Sequence, residues 1–490
     1  MVADLRYDDV PYPGRPVAQS HPDRLATLAR MFGVAAPELA TCRTLEIGCG
    51  DGANLLPMAC ALPEATFTGI DTSPGAITAA RARADALGLT NLHFEQVSLT
   101  DYVPAAGSVD YVIAHGVFSW VDEPLRDALL ALCARALSEH GVAYISYNAL
   151  PGGRLRQVFR EILATELAGI DDPARRIAAA RELLATLGAA WTYDEGLSTL
   201  VGLAKSLGEA NDALLYHDTL SPTNTPLYFR DFIAHAAQHR LGFLAEANFW
   251  EMQVGWLPHD VRPRVLATAG RVAREQQIDL MRMRTFRHTL LCHAERELTE
   301  VVPERLESLA AAATLRGGEP TSEGMVTFQG DRGQKLTTDQ PLVIEALERL
   351  AAAWPAALTV AELWPPDTAP EERRVVCEML LRCYSADLVK LHAGPIAVGS
   401  TDAPRPRAVS LARLQARTDG PVTNLRHEPV ALDDGARRLI VLLDGTRDRP
   451  ALRSALAATD PAATDDELAT VLDDSLAQLA RCALLEPEPG

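Results

Sequence analysis

A chain of 490 residues, 48% of them hydrophobic, has ample material for a buried core and room for two to four domains. Its formal net charge of −19 argues against nucleic acid as the main partner, though a local basic pocket stays compatible with it. The eight cysteines show no C-x-x-C pair or His/Cys ligand spacing, and no apolar run is long enough for a bilayer, so the expectation is a reducing cytoplasm with no metal and no membrane insertion.

The N-terminus, with Asp4, Asp8 and Asp9, is unlike a signal peptide. Tyr7 and Tyr12 precede Gln19-Ser20-His21-Pro22, where Ser20 is placed to cap a helix with Leu25, Leu28, Ala29 and Phe32 on its apolar face. Tyr12 and Gln19 are candidates to close over a bound cofactor; the alternative is a plain lid helix over a sheet.

Next comes Thr44-Leu45-Glu46-Ile47-Gly48-Cys49-Gly50-Asp51-Gly52-Ala53-Asn54-Leu55. An apolar run, glycines spaced two apart and a helical pattern read as strand, tight turn and helix, the start of a nucleotide-binding βαβ unit. Glycines let backbone N–H groups approach a ligand, and a helix N-terminus favours a negative group. Gly69-Ile70-Asp71-Thr72-Ser73 is a second short strand ending in an acid, the usual partner of a ribose diol. Gly48-x-Gly50-x-x-Ala53 also satisfies the relaxed dinucleotide fingerprint, whereas Glu46 and Gly52 favour S-adenosylmethionine over NAD(P).

The helix after the turn stops at Pro63, and a second strand spans 66–71. Ser73-Pro74 opens a helix over 75–87, a third strand spans 91–97, and an apolar fourth strand spans 109–114. It runs into His115-Gly116-Val117-Phe118-Ser119-Trp120-Val121. A helix over 125–137 and a strand over 142–146 follow, leading into Tyr147-Asn148-Ala149-Leu150-Pro151-Gly152. This alternation predicts an open parallel sheet with its functional loops at the strand C-termini. From 154 to about 309 the periodicity is helical throughout. Beyond it a weak repeat places helices at 341–353 and 371–384, then at 436–443, 449–457 and 465–480, with a linker around 401–407. Two winged-helix-like units are expected. The second is acidic (Asp433, Asp434, Asp465, Asp466, Asp473, Asp474), which favours protein over DNA contact.

The glycine turn, the Asp71 strand, Asp110-Tyr111-Val112-Ile113-Ala114-His115-Gly116-Val117-Phe118-Ser119-Trp120-Val121 and Tyr144-Ile145-Ser146-Tyr147-Asn148-x-x-Pro151-Gly152 together resemble class I S-adenosylmethionine-dependent methyltransferases carrying a methyltransferase regulatory domain. Asn224-x-Pro226-Leu227-Tyr228-Phe229-Arg230-Asp231-Phe232, Ala245-Glu246-Ala247 and Arg284-Thr285-Phe286-Arg287-His288-Thr289-Leu290-Leu291 are similar to that regulatory domain. Val422-Thr423-Asn424-Leu425-Arg426-His427 and Leu443-Asp444-Gly445-Thr446 resemble late segments of such chains. The resemblance implies an α/β Rossmann-like core over 1–153 with a seven-stranded, mostly parallel sheet, an all-helical regulatory domain over 154–315, and winged-helix-like α+β units over 316–400 and 401–490. No Tyr-x-x-x-Lys occurs, which speaks against the NAD(P) alternative.

Members of this group include lysine methyltransferases that act on a rickettsial outer-membrane protein and form dimers. The resemblance therefore implies S-adenosylmethionine as cofactor, S-adenosylhomocysteine as product, a protein or peptide acceptor such as lysine, and a homodimer. A small-molecule or biosynthetic-peptide acceptor stays open, as does a non-enzymatic S-adenosylmethionine-binding regulator. The chain departs from the group at Ser98, where an acid near the adenine is usual, and at Leu150 and Gly153, where aromatics are usual.

On this reading Gly48, Cys49, Gly50 and Gly52 hold the methionine moiety, Glu46 its ammonium and Asn54 its carboxylate side. Asp71 and Thr72 take the ribose, Ser98 and Leu99 the adenine, and Gln19 and His115 complete the cofactor site. Methyl transfer from a sulfonium is an in-line displacement governed by alignment. A lysine acceptor must first lose a proton, for which His115, Tyr147 and Tyr12 are candidates. Phe118, Trp120 and Tyr147 are candidate cation–π walls, with Asn148 beside them. His217-Asp218, and His293 with Glu295 and Glu297, are read as exposed polar helix faces rather than metal ligands.

Overall fold

The computed structural model describes residues 10, 12–458 and 464–488; Tyr7 and the three N-terminal aspartates lie outside them. Seven strands form one sheet: β1 (Arg43–Ile47), β2 (Thr66–Asp71), β3 (Leu92–Gln96), β4 (Val109–Ala114), β5 (Leu137–Asn148), β6 (Leu241–Glu246) and β7 (Phe286–His293), in the order β3-β2-β1-β4-β5-β7-β6. The first five are parallel, while β7 runs antiparallel to β5 and β6 antiparallel to β7. The glycine turn leaves β1, at the point where strand order reverses and ligands bind in open α/β sheets.

The helices begin and end where their residues dictate. Helix α1 (Pro22–Met31) is capped by His21 Nδ1, which accepts from the Asp23 N–H at 3.1 Å; Ser20 is not the cap, because Pro22 fixes the first helical position one residue later. Helix α2 (Leu55–Ala61) follows the glycine turn, and α3 (Pro74–Leu87) starts on the Ser73 hydroxyl and stops at Gly88, with φ +66. Asp122 caps α4 (Glu123–Ala136).

Two corrections concern the middle and C-terminal segments. The stretch read as helical throughout supplies β6 and β7, which close the main sheet. Strand β6 is almost wholly buried and so lacks period-two alternation, and β7 hides a charge, Arg287, that is fully buried. That charge is held by carboxylates: Glu246 at 2.6 Å, Asp279 at 2.8 Å and Glu275 at 3.0 Å, with Phe229 beneath the guanidinium. Just past the stretch read as helical, Ala310–Ala312 pairs with Leu358–Thr359 and Lys390–His392. A three-stranded antiparallel sheet of Leu315–Gly317, Val326–Gly330 and Lys335–Thr338, unread in the sequence, follows it.

Strand alternation divides the core into two layers. Leu45, Ile47, Val112, Ala114, Ile145 and Tyr147 face α4 and the helix Phe229–Gln238. Tyr111, Ile113, Val142 and Tyr144 face α1 and α2, in a cluster that continues without a break through Leu350 and Leu380 to Leu476 and Leu485. The C-terminal units are thus packed onto the nucleotide-binding half. Asp23 of α1 accepts from the Ala393 N–H and pairs with His392, both at 2.7 Å, and Arg30 donates to the Ala393 carbonyl at 2.8 Å.

Candidate active site

The glycine turn is built by conformation. Gly48, Gly50 and Gly52 have φ of +73, +53 and +75, a region other residues adopt at a cost. The Gly48 and Cys49 N–H groups donate to the Ile70 carbonyl at 2.8 and 3.1 Å, fixing the turn against the end of β2. A Cβ on Gly52 would lie 2.5 Å from the Phe94 ring, whereas one on Gly50 would meet nothing within 4 Å. The turn is therefore packed underneath and open above. Asp71, half-buried at the end of β2, accepts from the Gly50 and Ser73 N–H groups at 2.9 Å each, one on each carboxylate oxygen. Each oxygen keeps a further lone pair. Thr72 is exposed beside it. Ser98 and Leu99 lie half-buried after β3, the Ser98 hydroxyl paired with Thr100 Oγ1 at 2.9 Å.

Glu46 lies on β1 just before the turn and is 4% exposed. Its Oε1 accepts from Asn54 Nδ2 at 2.8 Å, while Oε2 is buried and finds no partner among the described residues. Burial pushes its carboxyl up to about 8, against the opposing effect of the Asn54 hydrogen bond. Asn54 does not offer itself to a ligand's carboxylate. Its Oδ1 accepts from the Val17 N–H at 2.9 Å and from His427 Nε2 at 2.8 Å, and its Nδ2 donates to Ser20 Oγ at 3.0 Å as well as to Glu46. A primary amide has two donors and two accepting lone pairs, so Asn54 is saturated.

The N-terminal segment crosses this turn. Gly14 passes directly against Asp51 and Ala53, and Gln19, half-buried, sits in the short 3-10 helix Ala18–Ser20 beside the Asn54 network. Tyr12 is 41% exposed and its ring meets His217 edge-on at 5.6 Å. His217 is buried, its Nε2 donating to the Val10 carbonyl at 2.6 Å, and His293 ends β7; neither lies on the exposed helix face expected of it.

At the end of β4, His115 is half-buried and its Nδ1 lies 2.9 Å from the Tyr144 hydroxyl. His288 of β7 stacks parallel to it, with centroids 6.2 Å apart, and Phe286 meets it edge-on. Burial pulls His115 down to about 3 and His288 to about 4, so both imidazoles are neutral at physiological pH. Arg15 is near enough to act on both.

Tyr147 and Phe118 require correction. Alternation along β5 puts Tyr144 on the His115 side and Tyr147 on the opposite face, where it is 1% exposed and stacks on Phe232 at 4.2 Å. Its hydroxyl accepts from Thr289 Oγ1 at 3.3 Å, and burial pushes it far above the usual tyrosine range. Phe118 is fully buried against the same Phe232. Both are core side chains of the second layer. Trp120 is half-buried, with the Arg160 guanidinium 5.6 Å from its ring. Asn148 is half-buried where its carbonyl accepts from the Leu227 N–H. The sequence reading missed Tyr144, His288 and His427. Tyr144 was findable from strand parity, since it aligns with Ile113, which aligns with Glu46.

Residues 44–141 match the methyltransferase domain family, 211–293 the predicted methyltransferase regulatory domain, and 404–459 the PKMT C-terminal winged helix domain. An uncharacterised protein of Rickettsia prowazekii (strain Madrid E) is 30% identical over 478 residues, covering 92% of this chain and 85% of that protein. The structure of PKMT2 from Rickettsia typhi in complex with AdoHcy superposes with a TM-score of 0.86 at 22% identity, covering 97% of this chain and 100% of that one. A 23S rRNA (uracil(747)-C(5))-methyltransferase of Citrobacter koseri is 32% identical over 167 residues, 31% of this chain and 42% of that enzyme.

S-adenosylmethionine is the cofactor of this enzyme class, and the residues fit it: an unpartnered buried carboxylate oxygen suits an ammonium, and the open side of Gly50 leaves room for a ligand against the backbone. No helix among the described residues is long and apolar enough to cross a membrane. With a relative matched along nearly its whole length and the core, regulatory and winged-helix segments following in that order, the chain belongs to the S-adenosylmethionine-dependent methyltransferases that carry a methyltransferase regulatory domain.

Proposed function

We propose that this methyltransferase acts on the side-chain amine of a lysine in a protein or peptide, and that it works as a cytoplasmic homodimer. The observation that carries the acceptor reading is the full-length likeness in fold to PKMT2, which extends through the middle and C-terminal segments as well as the core. Glu46 Oε2 takes the cofactor's ammonium, the Gly48–Gly52 backbone the rest of its methionine moiety, and the free lone pairs of Asp71 the ribose hydroxyls. When bound, S-adenosylmethionine supplies an electrophilic methyl group on a sulfonium.

His115 holds the acceptor amine. In the Nδ1–H tautomer, which donates to the Tyr144 hydroxyl, Nε2 presents a lone pair at the end of β4. An imidazole held at about 3 is a weak base, so it accepts a hydrogen bond from an amine already neutral and passes the departing proton on to water. Trp120, after β4, already carries the Arg160 guanidinium 5.6 Å from its ring, so no role toward the amine is assigned to it. Incubation with labelled S-adenosylmethionine and candidate proteins, followed by tandem mass spectrometry, tests the reading: label on lysine supports it, and label confined to carboxyl, hydroxyl or small-molecule acceptors overturns it. Light scattering on the purified chain reads the dimer.

A further inference from the structure

The Asn54 amide joins two parts of the chain that are 373 residues apart, because one of its four hydrogen bonds comes from His427. His427 sits at the tip of a hairpin between the strands Val422–Thr423 and Pro429–Val430, in a left-handed conformation with φ +59. The hairpin is rigidly held. Asn424 Oδ1 accepts from the Arg426 and Glu428 N–H groups at 2.9 Å, and its Nδ2 donates to the Cys482 carbonyl at 3.0 Å. Arg426 lies over the Trp354 ring at 4.5 Å and donates to the Pro355 carbonyl at 3.1 Å. The tip thus enters the nucleotide-binding half as a fixed probe.

Its hydrogen-bond polarity is determined. Asn54 Oδ1 already accepts from the Val17 N–H, which can only donate, so His427 Nε2 must carry the proton. Its Nδ1 is buried without a partner among the described residues, leaving that one N–H as the ring's polar contact. With Oδ1 held by His427 and Val17, the amide must turn Nδ2 toward Glu46 Oε1 and Ser20 Oγ.

We propose that His427 is a positioning residue for the cofactor: acting through Asn54, it fixes the Glu46 carboxylate so that Oε1 is occupied and Oε2 faces the ligand's ammonium. The C-terminal unit is then a working part of the cofactor site. The relay rests on the assignment of Glu46 to the ammonium given above.

The test is calorimetric affinity for two ligands, S-adenosylhomocysteine and 5′-methylthioadenosine, which lacks the amino-acid end. Replacing His427 by Phe or by Leu removes one buried hydrogen bond and should weaken S-adenosylhomocysteine about fivefold while leaving 5′-methylthioadenosine unchanged within about twofold. Two substitutions of different shape keep the test open if one fails to fold. His427→Gln, whose amide can donate, should restore affinity. In a Glu46→Gln background the Phe substitution should add nothing, as residues acting through one another are not additive. Unchanged S-adenosylhomocysteine affinity in both variants, or equal losses for the two ligands, overturns the relay. If Glu46→Gln alone leaves S-adenosylhomocysteine affinity intact, the site assignment fails first and the relay with it.

Discussion

Binding of S-adenosylhomocysteine should expel a proton from Glu46. The carboxyl is buried, one oxygen has no partner among the described residues, and burial pushes it up to about 8. At pH 7 such a group is roughly nine-tenths protonated, while an ammonium ligand requires the carboxylate, so about 0.9 proton is released per ligand bound. Affinity should rise about tenfold per pH unit between about pH 6 and 7 and less steeply as pH nears 8. The ligand's carboxylate keeps its charge throughout, and its ammonium does so between about pH 6 and 7, the range to be measured. Calorimetry at pH 7 in buffers of differing ionisation enthalpy reads the proton count as a slope, and Glu46→Gln should flatten it. The same shift has a stability consequence of definite sign. A carboxyl raised on folding stabilises below its unfolded value and loses that contribution as pH rises toward 8, so the ligand-free protein should melt lower at pH 8 than at pH 5 by more than its Glu46→Gln variant does. A buffer-independent heat at pH 7 would refute the assignment of Glu46 to the ammonium.

Asp71→Ala removes the acceptors assigned to both ribose hydroxyls and should weaken S-adenosylhomocysteine by at least about a hundredfold; an unchanged affinity would remove Asp71 from the site. Tyr144→Phe deprives His115 of its partner and should slow methyl transfer about tenfold, whereas Tyr147→Phe should leave turnover within about twofold. Equal losses in the two would contradict the assignment of the tyrosines by strand face. His115→Ala should lower turnover more than cofactor affinity, read by single-turnover rates beside calorimetry. Arg287→Ala leaves three buried carboxylates without their shared cation and should destabilise by about 3–5 kcal/mol, measured by denaturant unfolding; a loss below about 1 kcal/mol would mean that the network is dispensable.

Local chemistry was legible where a short segment carries its own instruction. The Ser73 cap, the Gly88 stop and the three left-handed glycines follow from side-chain size and hydrogen-bonding reach within a few residues. The central strands were legible because burial on both faces makes them apolar throughout. The same property concealed β6, a buried run of six residues that periodicity does not distinguish from helix. In β7 the buried Arg287 broke the apolar signal, and its compensating acids lie 8, 12 and 41 residues away.

The sequence by itself pointed to the cofactor class: Glu46, the glycines and Asp71 lie within 26 residues and need only one strand–turn–helix and the adjoining strand to come together, and the segments after Ala114 and Ser146 separate S-adenosylmethionine from NAD(P). Which face each side chain occupies was decided by tertiary structure. Tyr147 and Tyr144 are three residues apart and equally suited to meet an amine, yet the pleat sends one into the core and the other to His115. Asn54 resembles a ligand contact until His427 and Val17 are seen to saturate it. Hydrogen-bond capacity is finite, and only the folded chain shows which partners, from 37 to 373 residues away, have already taken it.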